Sequence, residues 1–176
     1  MKLNKMLLSF ANREEGHVKK KGVYWSSEIY AISKGYITPE NYFEKKDIDL
    51  YGAENIILGC AIEEYFNKIF SHNKANCEYQ SRKEIKISDD IVLVVKPDFN
   101  FKSCILEFKF PDKPMDNSIP DKWKFQLEAE SRAFGKPTYL CIIRKHPLIT
   151  FVKYKQSNYT WKKIIKILTD FDNKLK

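Results

Sequence analysis

The chain has 176 residues, 43% of them hydrophobic and 31% charged, and its 31 Lys and Arg outnumber 23 Asp and Glu to give a formal net charge of +8. That length can bury one hydrophobic core without disulfides or structural metals, which excludes a small disulfide scaffold, and no stretch approaches the ~20 apolar residues of a membrane span. The positive balance favours an anionic partner such as nucleic acid, although a coding bias toward Lys would give the same count.

In chain order, residues 1–10 hold two lysines and an apolar run too brief for a secretory signal. Ser26 and Ser27 can cap a short helix over 28–34 that Gly35 ends, and residues 37–51 read as irregular. Over 53–70, Ile57, Leu58, Ala61, Ile62, Tyr65, Phe66, Ile69 and Phe70 recur at helical spacing and predict an amphipathic helix. Residues 78–87, 91–99 and 102–110 are rich in β-branched and aromatic side chains, with turn formers at Ser88-Asp89-Asp90 and at Asn100, and predict a three-stranded meander. Pro120 and Asp121 open a helix that runs to Phe134 and stops at Gly135. A buried strand over 138–144, a further strand over 149–154 and a surface-packed helix over 159–175 complete the series.

With no repeat, low-complexity tract or flexible linker, the expectation is one domain over 1–176. Its core spans about 53–145, preceded by a helical segment over 23–52 and followed by a strand and helix over 148–176. Cys60, Cys77, Cys104 and Cys141 are widely spaced, form no C-x-x-C pair and lie in or beside apolar sequence, as free thiols do in a reducing compartment. The reading is an intracellular, cytoplasmic, soluble protein. Arginines are few (Arg13, Arg82, Arg132 and Arg144), so Lys-based grip on phosphate fits better than base readout.

Chemistry concentrates between Pro97 and Lys109. Asp98 ends one expected strand, and the next carries Glu107-Phe108-Lys109, whose period-two alternation puts Glu107 and Lys109 on one face and Leu106, Phe108 and Phe110 on the other. A hairpin brings Asp98 beside Glu107. Two adjacent carboxylates repel, which favours proton uptake or a bound cation, with Mg²⁺ or Mn²⁺ the natural choice for oxygen ligands. Such an ion lowers the pKa of a bound water and offsets charge on phosphorus, while Lys109 orients the water or binds the phosphate. A Glu-x-Lys alone is weak, since Glu44-Lys45-Lys46 and Glu84-Ile85-Lys86 match it too, and a hairpin salt bridge is the plain alternative.

The two helices add candidates. Glu63 lies at the edge of the apolar stripe of the 53–70 helix, whereas Glu64 points away and can pair with Lys68. On the 121–134 helix, Trp123, Leu127 and Phe134 define the apolar face, Gln126 and Glu130 share one side with Ala133, and Lys124 with Glu128 reads as an outward i, i+4 pair. Polar groups on the Gln126 side need partners.

Glu63, Pro97-Asp98, Glu107-Phe108-Lys109 and Gln126 together resemble the PD-(D/E)XK nuclease superfamily, and within it the RecB-like exonuclease branch that includes the CRISPR-adaptation exonucleases. The resemblance covers roughly residues 26–143. It implies an α/β, restriction-endonuclease-like core, a central mixed β-sheet flanked by helices in the order αβββαβ. It also implies a site holding Mg²⁺ or Mn²⁺ through Glu63, Asp98 and Glu107, with Lys109 and Gln126 completing the catalytic set. Two departures stand out. Gly59-Cys60-Ala61-Ile62-Glu63 has Glu where the branch has His, and Gln126-Leu127-Glu128-Ala129-Glu130 has Glu where the branch has Tyr. Iron-sulfur members carry Ser-Glu-Ile-x-x-Cys and three late cysteines. Here Ser27-Glu28-Ile29-Tyr30-Ala31-Ile32 lacks the cysteine and none follows Cys141, so no cluster is expected. The implied function is a divalent-metal-dependent DNA nuclease, an exonuclease on DNA ends or single strands. The alternatives are a structure-specific endonuclease acting on junctions or flaps, and a non-catalytic nucleic-acid-binding module of the same fold.

Overall fold

The computed structural model of the protein describes residues 2–14, 19–44, 48–111, 118–144 and 149–175. Its elements run α1 (Lys2–Glu14), β1 (Val23–Trp25), a 3-10 turn (Ser26–Glu28), α2 (Ile29–Ser33), α3 (Leu50–His72), β2 (Cys77–Tyr79) and β3 (Lys83–Lys86). There follow β4 (Val92–Val95), β5 (Phe99–Phe101), β6 (Ile105–Lys109), α4 (Asp121–Phe134), β7 (Thr138–Ile143), β8 (Ile149–Lys153) and α5 (Asn158–Lys174). They fall into two compact units, residues 1–18 with 43–75 and residues 19–42 with 76–176.

In the first unit α1 packs against α3. The composition of α1 gave no helix reading, and α3 begins three residues earlier than periodicity places it. Its start is fixed by Asp49, whose carboxylate accepts from Gly52 N at 2.7 Å and satisfies an amide that would otherwise lack a partner. Leu58 and Tyr65, counted in the apolar stripe, are exposed, and only Ala53 of this helix is fully buried.

The second unit corrects two expectations. Val23–Trp25 is not part of a helical segment but a strand paired parallel to β4; three residues are too few to display an alternation. Gly22 before it has φ +79°, and a Cβ there would run into the Asp90 carbonyl oxygen, so only glycine serves. The meander is the other correction. Two sheets are present, β1-β4-β3 and β2-β5-β6-β7-β8. The expected first two strands do pair antiparallel in one register, Cys77 facing Phe101, Tyr79 facing Phe99, Lys83 facing Val95 and Lys86 facing Val92. The ribbon breaks midway, at residues 80–82 and 96–98, and its two halves join different sheets. Pro97 has no N–H to continue a ladder, and Gln80, opposite Asp98, takes φ +50°. Asn100 is a strand residue facing Glu78 and Ile105, and the turn falls after Phe101 instead.

Parallel neighbours β6 and β7 need a crossover, and α4 is that crossover. It ends as the sequence indicates, with Gly135 at φ +64°. At about 100° per residue, Phe125 and Ala129 share one face while Trp123 and Leu127 share another. The first face packs with Tyr24, Ile29, Leu93, Val95, Ile164 and Leu168, the second with Leu140, Ile142 and Tyr154. Phe134 packs with the first group, not with Trp123. No helix among the described residues is long and apolar enough to cross a membrane.

Glu128 is no solvated partner of Lys124. It is fully buried and accepts from Arg132 Nε, Tyr154 Oη and Ser157 N, each at 2.8 Å. Lys124 pairs with Asp121 instead. Ser157 caps α5 through Thr160 N, so Glu128 fastens the start of that helix. Asp172 fastens its other end, accepting from Gly22 N and Tyr24 Oη beside β1. Glu128→Ala leaves three donors without their acceptor, the buried Tyr154 hydroxyl and the part-buried Arg132 and Ser157 groups, and should cost about 3 kcal/mol in urea denaturation. Lys124→Ala should leave the melting temperature unchanged; equal effects of the two would refute this division.

Candidate active site

The site forms where the ribbon breaks. Because Phe99 faces Leu106 across the β5–β6 hairpin, Asp98 arrives beside Glu107, as expected. Asp98 N donates to Glu107 Oε2 at 3.4 Å, and Phe108 N donates to Asp98 Oδ2 at 2.6 Å. Main chain and side chain thus lock the two carboxylates to each other's strands.

Glu107 is only 2% exposed. Its Oε1 accepts from Lys109 Nζ at 2.5 Å and from Gln126 Nε2 at 2.6 Å. Lys109 lies two residues on, hence on the same face of β6. Gln126 comes from α4 as it crosses that face. Asp98, Glu107, Lys109 and Gln126 are therefore brought together. Burial works against the charge on Lys109, but the Glu107 and Asp98 carboxylates and the hydrogen bond to Glu107 outweigh it and hold the ammonium above the usual lysine range. It stays a cation at any working pH.

Glu63 belongs to the other unit, half-buried on α3. Its neighbour Glu64 is exposed and pairs with Lys68 at 3.0 Å, as its angle predicts. Among the described residues no three His, Cys, Asp or Glu side chains gather as a metal-binding cluster. What the second unit offers a cation is the Asp98 and Glu107 pair.

One residue, read in sequence as sharing a side of the helix with Gln126 and as a departure from a motif, was not counted in the site. Glu130 stands one turn after Gln126, is fully buried, and has no well-formed hydrogen bond to either carboxylate oxygen. Burial pushes its carboxyl well above the ordinary range, as do the Glu107 and Asp98 charges, while Lys109 and the Gln126 amide pull the other way. Its i+4 spacing from Gln126 was the available signal. Next to the hairpin, Cys141 faces Phe108 across β7, and burial followed by the Asp98 charge pushes its thiol up to about 12, which leaves it an inert packing group.

No protein-family model matches the chain, and no curated protein matches its sequence. Solved structures do share its fold. The crystal structure of SSO0001 is 17% identical with a TM-score of 0.72, the match covering 96% of this chain and 84% of that one. The alkaline exonuclease LHK-Exo from Laribacter hongkongensis is 9% identical with a TM-score of 0.62, over 97% of this chain and 92% of that one. The same exonuclease in complex with dAMP gives 0.63 at the same coverage. At such identities the likeness is one of fold, and the expected class, a mixed α/β core flanked by helices, is the one found.

Asp98→Asn keeps an acceptor for Phe108 N, whereas Asp98→Ala removes it. The alanine variant should therefore be less stable than the asparagine variant by about 1–3 kcal/mol. Matched urea titrations measure the difference, and coincident curves would show that this hydrogen bond does not hold the hairpin.

Proposed function

We propose that the chain is a divalent-metal-dependent DNA nuclease of the PD-(D/E)XK type, acting as an exonuclease on ends or single strands. The observation that carries this reading is the convergence of Lys109 and Gln126 on one oxygen of a buried Glu107 beside Asp98. It occurs in a fold shared with an exonuclease that has been crystallised with a deoxynucleotide.

The donor set fits the ion. Asp98 and Glu107 supply hard oxygen ligands from neighbouring strands, which suits Mg²⁺ or Mn²⁺, and Glu63 is assigned as a further ligand by motif. Bound there, the ion would supply a water of lowered pKa and positive charge beside the phosphate. The rest falls to the chain's own groups. Lys109, a fixed cation, faces the charge that grows on the phosphoryl oxygens. Gln126 donates one amide hydrogen to Glu107 and so fixes the carboxylate plane. The net charge of +8, Lys-dominated, serves sequence-tolerant attraction to a phosphate backbone.

With Mn²⁺ or Mg²⁺ the purified chain should degrade end-labelled linear DNA, spare closed circles and stop on addition of EDTA. Asp98→Asn, Glu107→Gln and Lys109→Met should each slow cleavage by about 100-fold or more while the fold persists. Cuts confined to branch points would favour the structure-specific endonuclease. Binding of DNA without metal-dependent cutting of any substrate would overturn the enzyme reading in favour of a binding module.

A further inference from the structure

Glu130 poses a physical problem. A carboxylate buried without a partner costs several kcal/mol if ionised, and an apolar residue of similar volume would pack there at no such cost. Glu128, two residues earlier on the same helix, shows what a structural buried carboxylate looks like here, with three donors at 2.8 Å. Glu130 has none of these. Its electrostatic neighbours are Glu107, Asp98, Lys109 and the Gln126 amide, which donates to Glu107, and among these Lys109 is the cation.

In this structure that cation is committed elsewhere. Lys109 and Gln126 share Glu107 Oε1, while Oε2 accepts only the longer bond from the Asp98 amide at 3.4 Å. An ammonium 2.5 Å from Oε1 and a divalent ion on the same carboxylate are like charges at close range and repel. A second anion near Lys109 offsets that repulsion.

We propose that Glu130 is a positioning residue that receives Lys109 when Glu107 engages a divalent ion, keeping the ammonium inside the site as a counter-charge instead of a competitor for the metal. The assignment rests on the nuclease reading. It makes Glu130, at the position where the resembling branch has tyrosine, a metal-coupled partner of Lys109 and not a ligand.

Mn²⁺ binding to the full chain, followed by electron paramagnetic resonance, tests this in wild type, Glu130→Gln, Lys109→Met and the double variant. Glu130→Gln should weaken Mn²⁺ binding by about tenfold, in the range found for groups that orient metal ligands. In the Lys109→Met background, where no ammonium needs a home, the same change should leave the affinity unaltered. Glu130→Leu, which also fills the space, should repeat the pattern, and thermal melting verifies that each variant is folded. An equal loss in both backgrounds would overturn the proposal, since Glu130 would then act on the ion or through the fold. No loss in either would overturn it as well. A wild-type chain that binds Mn²⁺ but cuts no DNA would remove the nuclease reading while the cycle still decides for Glu130. One that binds no Mn²⁺ would end both.

Discussion

The Glu107 carboxylate is a charge with almost no access to water, and a charge in that position must be held by donors or it forces the structure apart. Its donors come from the preceding strand end, its own strand and the following helix: the Asp98 amide, the Lys109 ammonium and the Gln126 amide. Each arrives by a separate structural device. The broken ribbon delivers Asp98, strand alternation delivers Lys109, and the crossover between parallel β6 and β7 delivers Gln126. Remove any one device and the charge is left under-coordinated. The fold of the second unit is in this sense organised around one oxygen pair.

What could be read from the residues follows the range of the forces involved. Both ends of α4 were legible because Pro120 and Gly135 act within a turn of themselves. The pairing of Asp98 with Glu107 was legible because a hairpin is a local structure. The division of the ribbon between two sheets was not, for β-branched runs are alike whichever sheet receives them, and only Pro97 marked the place. Nor was the burial of Glu128. Helical angle puts it beside Arg132 on what reads as a solvent face, and its other partners, Tyr154 and Ser157, lie more than twenty residues on. The same long range hid β1, whose three residues are a strand only because β4 runs beside them.

Glu128 and Glu130 sit two residues apart on α4, both at zero exposure, and meet opposite demands. Glu128 joins α4 to the start of α5, and its full set of donors makes it rigid. Glu130 is directed to β6, where two other carboxylates already compete for one lysine. Helix geometry alone separates them, since two residues turn the chain through about 200°. One helix thus carries a carboxylate that holds the architecture and another whose unmet demand is felt only at the site.

Three acidic groups around one lysine leave an excess of negative charge, and burial together with the Glu107 and Asp98 charges raises the Glu130 carboxyl well above its ordinary range. A divalent ion beside Asp98 and Glu107 would reverse that balance, and on the proposed reading the positive charge then gathered is what a phosphodiester requires. The stability forgone by leaving Glu130 without a hydrogen bond is then the cost of a site built for a charge that arrives from outside. Filling that position with an apolar side chain would make a better core and, by the same electrostatics, a lysine with only the proposed metal ligands Glu107 and Asp98 for counter-charge.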